Sequence, residues 1–172
     1  MEMNPRDQLS PLDKHGLNLG KLVGNFQSLE FVLRAFLTNA EIARKGPLPK
    51  SATDIHKMNE GDIVPENAFT NYDTLGQLIE KYNGTPKILS AGLTIDETLV
   101  EIRDAIAHGR VSAEMPSSSL KLLKFNKPKN GQVRVTFSVT LTKEWFGKQI
   151  KRVYDAVLKV NEANDKLQSG KL

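Results

Sequence analysis

Apolar side chains recur at three- and four-residue spacing through Leu19, Leu22, Val23, Phe26, Leu29, Leu33, Phe36, Leu37 and Ala40. That spacing commits the start of the chain to one long amphipathic helix. A stripe of this length must be covered, so the rest of the chain has to supply a matching apolar surface. The pattern begins at Leu17 and runs to about Arg44, where Gly46-Pro47 stops it. Residues 1–16 carry two prolines and little periodicity, and are expected to form a flexible arm.

Residues 46–69 hold three prolines and two glycines, and read as a long insertion-like loop. Thr70 or Asn71 is expected to open a short helix through Leu75, Leu78, Ile79 and Tyr82, closed by Asn83-Gly84. Thr94-Ile95-Asp96-Glu97 then fits a capping box, in which the Thr94 hydroxyl accepts from the Glu97 amide and the Glu97 carboxylate reaches back. Ile95, Leu99, Ile102 and Ile106 would be the core stripe of that helix, with Gly109 as its terminator. Past a Pro/Ser loop at 116–119 the period falls to two, in Leu120 and Leu122 and again in Val133, Val135, Phe137 and Val139. Lys129-Asn130-Gly131 between them carries an Asn-Gly turn, which predicts a β-hairpin across 120–140. Thr142 then caps a last helix bearing Phe146, Ile150, Val153, Tyr154, Val157 and Val160, and the polar residues 163–172 are expected to fray. The expected fold is mainly α: a helical bundle in one domain, 17–162, with a hairpin inserted before the last helix.

Several chemistries are disfavoured by composition. The 172 residues contain no cysteine, which removes disulfides and thiolate metal sites. His15 and His56 have no ligand-spaced neighbours, so neither a metal nor a cofactor is expected. Neither a Gly-rich phosphate loop nor a Ser/His/Asp arrangement stands out. With no apolar run of the roughly 18–20 residues a membrane span needs, and a polar N-terminus, a cytoplasmic protein with no membrane contact is expected. Charge is more informative. From Leu120 to Arg152, nine Lys and Arg face the single acid Glu144, whereas 53–101 is predominantly acidic. A basic segment of this kind suits a polyanion, although a solvated surface has the same composition.

Chemistry concentrates in Leu99-Val-Glu-Ile-Arg-Asp-Ala-Ile-Ala-His-Gly-Arg110. On a helix Asp104 and His108 are i,i+4 and can touch. The i±3 and i±4 neighbours of Arg103 are Leu99, Val100, Ile106 and Ala107, so it lacks an intrahelical partner at those positions. The small apolar Val100 and Ala107 favour a second packing surface, as in a symmetric dimer.

Arg103, Asp104 and His108, in an arginine–polar–three-residue–histidine pattern near a helix end, resemble the signature of the HEPN superfamily. The opening helix, with Gly24-Asn-Phe-Gln-Ser-Leu-Glu30, is also similar to small bacterial members. The resemblance implies a four- or five-helix up-down bundle, a homodimer, and metal-independent cleavage of RNA, possessing no cofactor. In that scheme His108 transfers protons, Arg103 holds the phosphate and Asp104 orients the imidazole. Arg110, Lys121, Lys124, Lys127 and Lys129 are the further candidates for gripping RNA. A defence or toxin-like setting, with an antitoxin or other protein partner, goes with the family. So does the alternative of a catalytically silent HEPN module that binds protein or nucleic acid as a dimer.

Overall fold

The computed structural model describes residues 9–48, 55–114 and 119–172. It is mainly helical with one small antiparallel sheet. In chain order come α1 (Pro11–Lys45), a 3-10 turn (Ile55–Lys57), α2 (Leu75–Asn83), α3 (Pro86–Ser90), α4 (Leu99–His108), β1 (Arg110–Glu114), β2 (Ser119–Phe125), β3 (Val135–Thr140) and α5 (Lys143–Gln168). Among the described residues no helix is long and apolar enough to cross a membrane.

Helix α1 starts six residues before the expected Leu17. Ser10 caps it: its hydroxyl accepts from the Asp13 amide at 3.1 Å and donates to the Asp13 carboxylate at 2.6 Å, with Pro11 in the first helical position. The arm expected over 1–16 is therefore helical from Pro11, and residues 1–8 lie outside the described residues. At the other end Gly46 takes φ +94° and donates to the Ile42 carbonyl, as the Gly-Pro stop predicts.

Backbone contacts divide the chain into two compact units, each made of two stretches. The first comprises Met1–Phe26 and Thr98–Tyr154. Leu22, Phe26, Leu99, Ile102, Ala105, Leu122, Phe146 and Val153 are its buried apolar residues. Here the Asn25 amide donates to the Ile150 carbonyl at 3.3 Å, and His15 meets the Phe146 ring edge-on at 5.6 Å. The sheet belongs to this unit, in the order β1-β2-β3. The expected hairpin is thus a three-stranded sheet, since Arg110–Glu114 adds a strand the periodicity did not reveal. The Asn-Gly turn forms as predicted: Asn130 and Gly131 take φ +52° and +73°, and Lys129 and Gln132 exchange backbone hydrogen bonds at 2.8 and 3.1 Å.

Gln27–Glu97 and Asp155–Leu172 make the second unit. Leu29, Leu33, Phe36, Leu78, Ile79, Tyr82, Ile88, Val160 and Ala163 lie in its interior. The Tyr82 hydroxyl donates to the Leu93 carbonyl at 3.0 Å, and burial pushes it well above the ordinary phenol range. A capping box sits at Thr74 and Gln77, opening α2, rather than at Thr94. Asn83 explains the change. Its side chain accepts from the Ile95 amide and donates to the Ile95 carbonyl, both at 2.9 Å, and also donates to the Glu97 carboxylate at 3.3 Å. With Glu97 turned to Asn83, α4 begins at Leu99. The fraying expected at 163–172 gives way to helix through Gln168, where Ala163 is fully buried and Asn39 donates to Asn164 at 2.8 Å.

The far end of the 46–69 loop is held by a residue that periodicity did not single out. Arg34, only 12% exposed, pairs with Glu30 at 3.1 Å and donates to the carbonyls of Ala68, Asn71 and Asp73 at 3.3, 3.0 and 2.7 Å. One buried guanidinium has five N–H donors, enough to satisfy several loop carbonyls at once. Residues 49–54 of that loop lie outside the described residues.

Candidate nucleic-acid site where α4 meets the sheet

Helix α4 buries Leu99, Ile102 and Ala105. Ala105 takes the inward place expected of Ile106, which is partly exposed. The cause is the approach of β2. A Cβ on Gly109 would strike the Ala105 carbonyl oxygen and lie 2.6 Å from Leu122 Cδ1 and 3.0 Å from the Leu123 carbonyl oxygen. Strand and helix end come so close that glycine alone fits at 109 without a shift, and Ala105 beside it is fully buried. Gly109 therefore ends the helix in extended backbone (φ −76°, ψ 171°), chosen for space rather than for the left-handed conformation of a usual glycine stop.

This junction sets the candidate side chains. Arg103 and Asp104 are 39% and 38% exposed, and the Arg103 guanidinium touches the Asp104 carboxylate at 3.4 Å. Lys124, reaching over from β2, meets the other Asp104 oxygen at 3.5 Å. The expected Asp104–His108 pair is not formed, and Arg103 does have a partner, its chain neighbour. Two cations compete better for a carboxylate than a neutral imidazole does, and a reading confined to one helix does not see Lys124. His108 is exposed, and its imidazole has no hydrogen-bond or ion-pair partner among the described residues.

The other candidate cations separate by sheet face. Residues paired across an antiparallel sheet share a face, and successive residues alternate. Lys124 shares the face of the buried Leu122. Arg110, opposite Leu123, and Lys121, opposite Ser112 and Thr140, lie on the other face. On that open face the Arg110 guanidinium stands 5.4 Å from the centre of the Phe125 ring, a cation–π contact between diagonal neighbours. Lys127 and Lys129 are exposed in the β2–β3 connection.

The arrangement can do two things chemically. Arg103 spends one long contact on Asp104 and keeps most of its N–H donors for an anion. His108, exposed at the end of α4, offers an imidazole, a group that can serve as proton acceptor or donor to a bound substrate. Arg110 follows it by two residues, which puts the cation–π pair's guanidinium-bearing backbone within about 7 Å of the histidine backbone. The missing signal was β1: five residues after Gly109 give too short a run to register as a strand, and without it Arg110 has no fixed place beside Phe125. Compared with protein-family models, curated proteins and solved structures, the chain matches none.

Proposed function

We propose that this chain is a metal-independent endoribonuclease of the HEPN type that works in the cytoplasm as a homodimer, in a defence or toxin-like role with an antitoxin or other protein partner. The observation that carries this is the exposed imidazole of His108, with no hydrogen-bond or ion-pair partner among the described residues, at the end of the helix whose Arg103 and Asp104 meet Lys124, and two residues before Arg110. A ribose 2′-oxygen attacks the adjacent phosphorus, and its proton passes to a neutral His108. The P–O5′ bond breaks, and a protonated imidazole gives O5′ its proton. The products are a 2′,3′-cyclic phosphate and a 5′-hydroxyl. One imidazole does not serve as base and acid in the same step, so a second protomer's histidine supplies the other role. Arg103 offsets charge on the pentacoordinate phosphorus through its planar fork.

The test is cleavage of single-stranded RNA in EDTA. Replacement of the proton-transfer group in His108→Ala is expected to slow cutting by roughly 10²–10⁴-fold, and Arg103→Ala comparably, with the helical circular dichroism unchanged. Full activity in either variant overturns the assignment. A second reading is favoured by one contact: Asp104 is engaged by Lys124 and Arg103, and among the described residues no other carboxylate orients the imidazole. In that reading the same surface belongs to a non-cleaving HEPN module. RNA retained without cyclic-phosphate products, in parent protein as in His108→Ala, is its expected result.

A further inference from the structure

The open face of the sheet is ordered in rows across its three strands. Its rows run Ser112–Lys121–Thr140, then Arg110–Leu123–Ser138, then Phe125 at the end nearest β3's start. Phe125 is partly exposed, and one side of its ring carries the Arg110 guanidinium at 5.4 Å. About four residues back along β2, or about 13 Å at the strand rise, Lys121 borders a depression of about 380 Å³ with Ser112, Ala113, Ser119 and Thr140. An aromatic–guanidinium pair offers a π surface to a base of any identity, and a lysine among hydroxyls offers donors to a phosphate. Phe125, Arg110 and Lys121 are separated by the span of a few unpaired nucleotides. A duplex hides its base faces in the stack, and so makes no use of Phe125.

Charge favours the same occupant. The unit containing this face has fourteen Lys and Arg against seven Asp and Glu, whereas the other unit has ten against thirteen. An acidic peptide would match the cations but leave the ring and its stacked guanidinium without a planar partner. We infer that the open sheet face binds single-stranded RNA along β2, with one base stacked on Phe125 and Arg110 and a phosphate at Lys121. The identity of the polyanion as RNA rests on the ribonuclease reading above. Lys124, on the opposite face, belongs to the Asp104 cluster and not to this track.

The experiment measures binding without cutting. Fluorescence anisotropy of a labelled oligouridine is followed in EDTA on His108→Ala protein, and Phe125→Leu, Phe125→Tyr, Arg110→Gln and Lys121→Gln are added to that background. Phe125→Leu is expected to weaken binding about tenfold or more, while Phe125→Tyr keeps the parent affinity because it keeps the ring. Lys121→Gln is expected to make the dependence of log affinity on log salt shallower by about 0.7. An RNA duplex competes poorly. Phe125→Leu binding as tightly as the parent, or a duplex or an acidic peptide displacing oligouridine at equal concentration, overturns the proposal. Should Phe125→Leu fail to fold by circular dichroism, Arg110→Gln and Phe125→Tyr decide the matter, since parent-like affinity in Arg110→Gln with loss of affinity in Phe125→Tyr is incompatible with stacking. Cleavage in the His108-intact protein is scored separately. Binding without cutting leaves this face standing and removes the nuclease, and cutting that ignores Phe125 does the reverse.

Discussion

Gly109 shows how a single position can be read correctly for the wrong reason. Its place after His108 marks a helix end in any sequence, but the structure ties it to the carbonyls of Ala105 and Leu123 and to Leu122. Gly109→Ala must push β2 away from α4, and with it Lys124 from Asp104. The expected cost is about 1–3 kcal/mol, read as a lower urea midpoint, together with a fall in RNA affinity or cleavage larger than the stability loss accounts for. An unchanged midpoint would show that the junction gives way freely. The same residue scale explains why the site was only half legible. Arg103, Asp104 and His108 were visible as a pattern along one helix, and Arg110 and the strand lysines as charge. Which of them meet was not visible, because Lys124 reaches Asp104 across a gap of twenty residues.

Elements were legible where local chemistry is strong. The Gly46-Pro47 stop, the Asn-Gly turn and the Thr142 cap all form; Thr142 accepts from the Trp145 amide at 3.1 Å. Ser10-Pro11-Leu12-Asp13 is an equally clear start signal for α1, but it lies ahead of the apolar periodicity, which begins only at Leu17. Thr94–Glu97 failed as a box because Asn83, distant in sequence, takes its parts. The segment ahead of α2 also gives a pH prediction. The Lys81 ammonium bonded to the Asp73 carboxylate, helped by Asn71 and Arg34, holds that acid below its ordinary 3.8. A carboxylate depressed in the folded state stabilises above about 3.8, and that contribution drains away as pH falls through the lower folded value. Urea unfolding between pH 2 and 6 should therefore show an acid limb in the parent that is flatter in Asp73→Asn. Parallel limbs would mean that Asp73 is as well placed unfolded as folded.

At the scale of the whole molecule, the mainly α reading holds, and the extra strand is the chief addition to it. Charge sorts with the two units in a way its total of +4 conceals, which is why the basic side of the chain and the candidate site coincide. The proposed composite site makes a prediction here. Active protein should elute at about twice 19.1 kDa, and its rate per chain should fall on dilution through the dissociation range. A fully active 19.1 kDa species would remove the need for a second histidine.

Each unit is assembled from two stretches separated by the other's residues. During translation, the segment with Arg103 and His108 leaves the ribosome before the α5 residues that complete its core, among them Phe146 and Val153. Long-range closure of this kind is slow relative to local helix formation. The nascent chain thus carries the candidate site on an unfinished scaffold until the α5 residues have emerged.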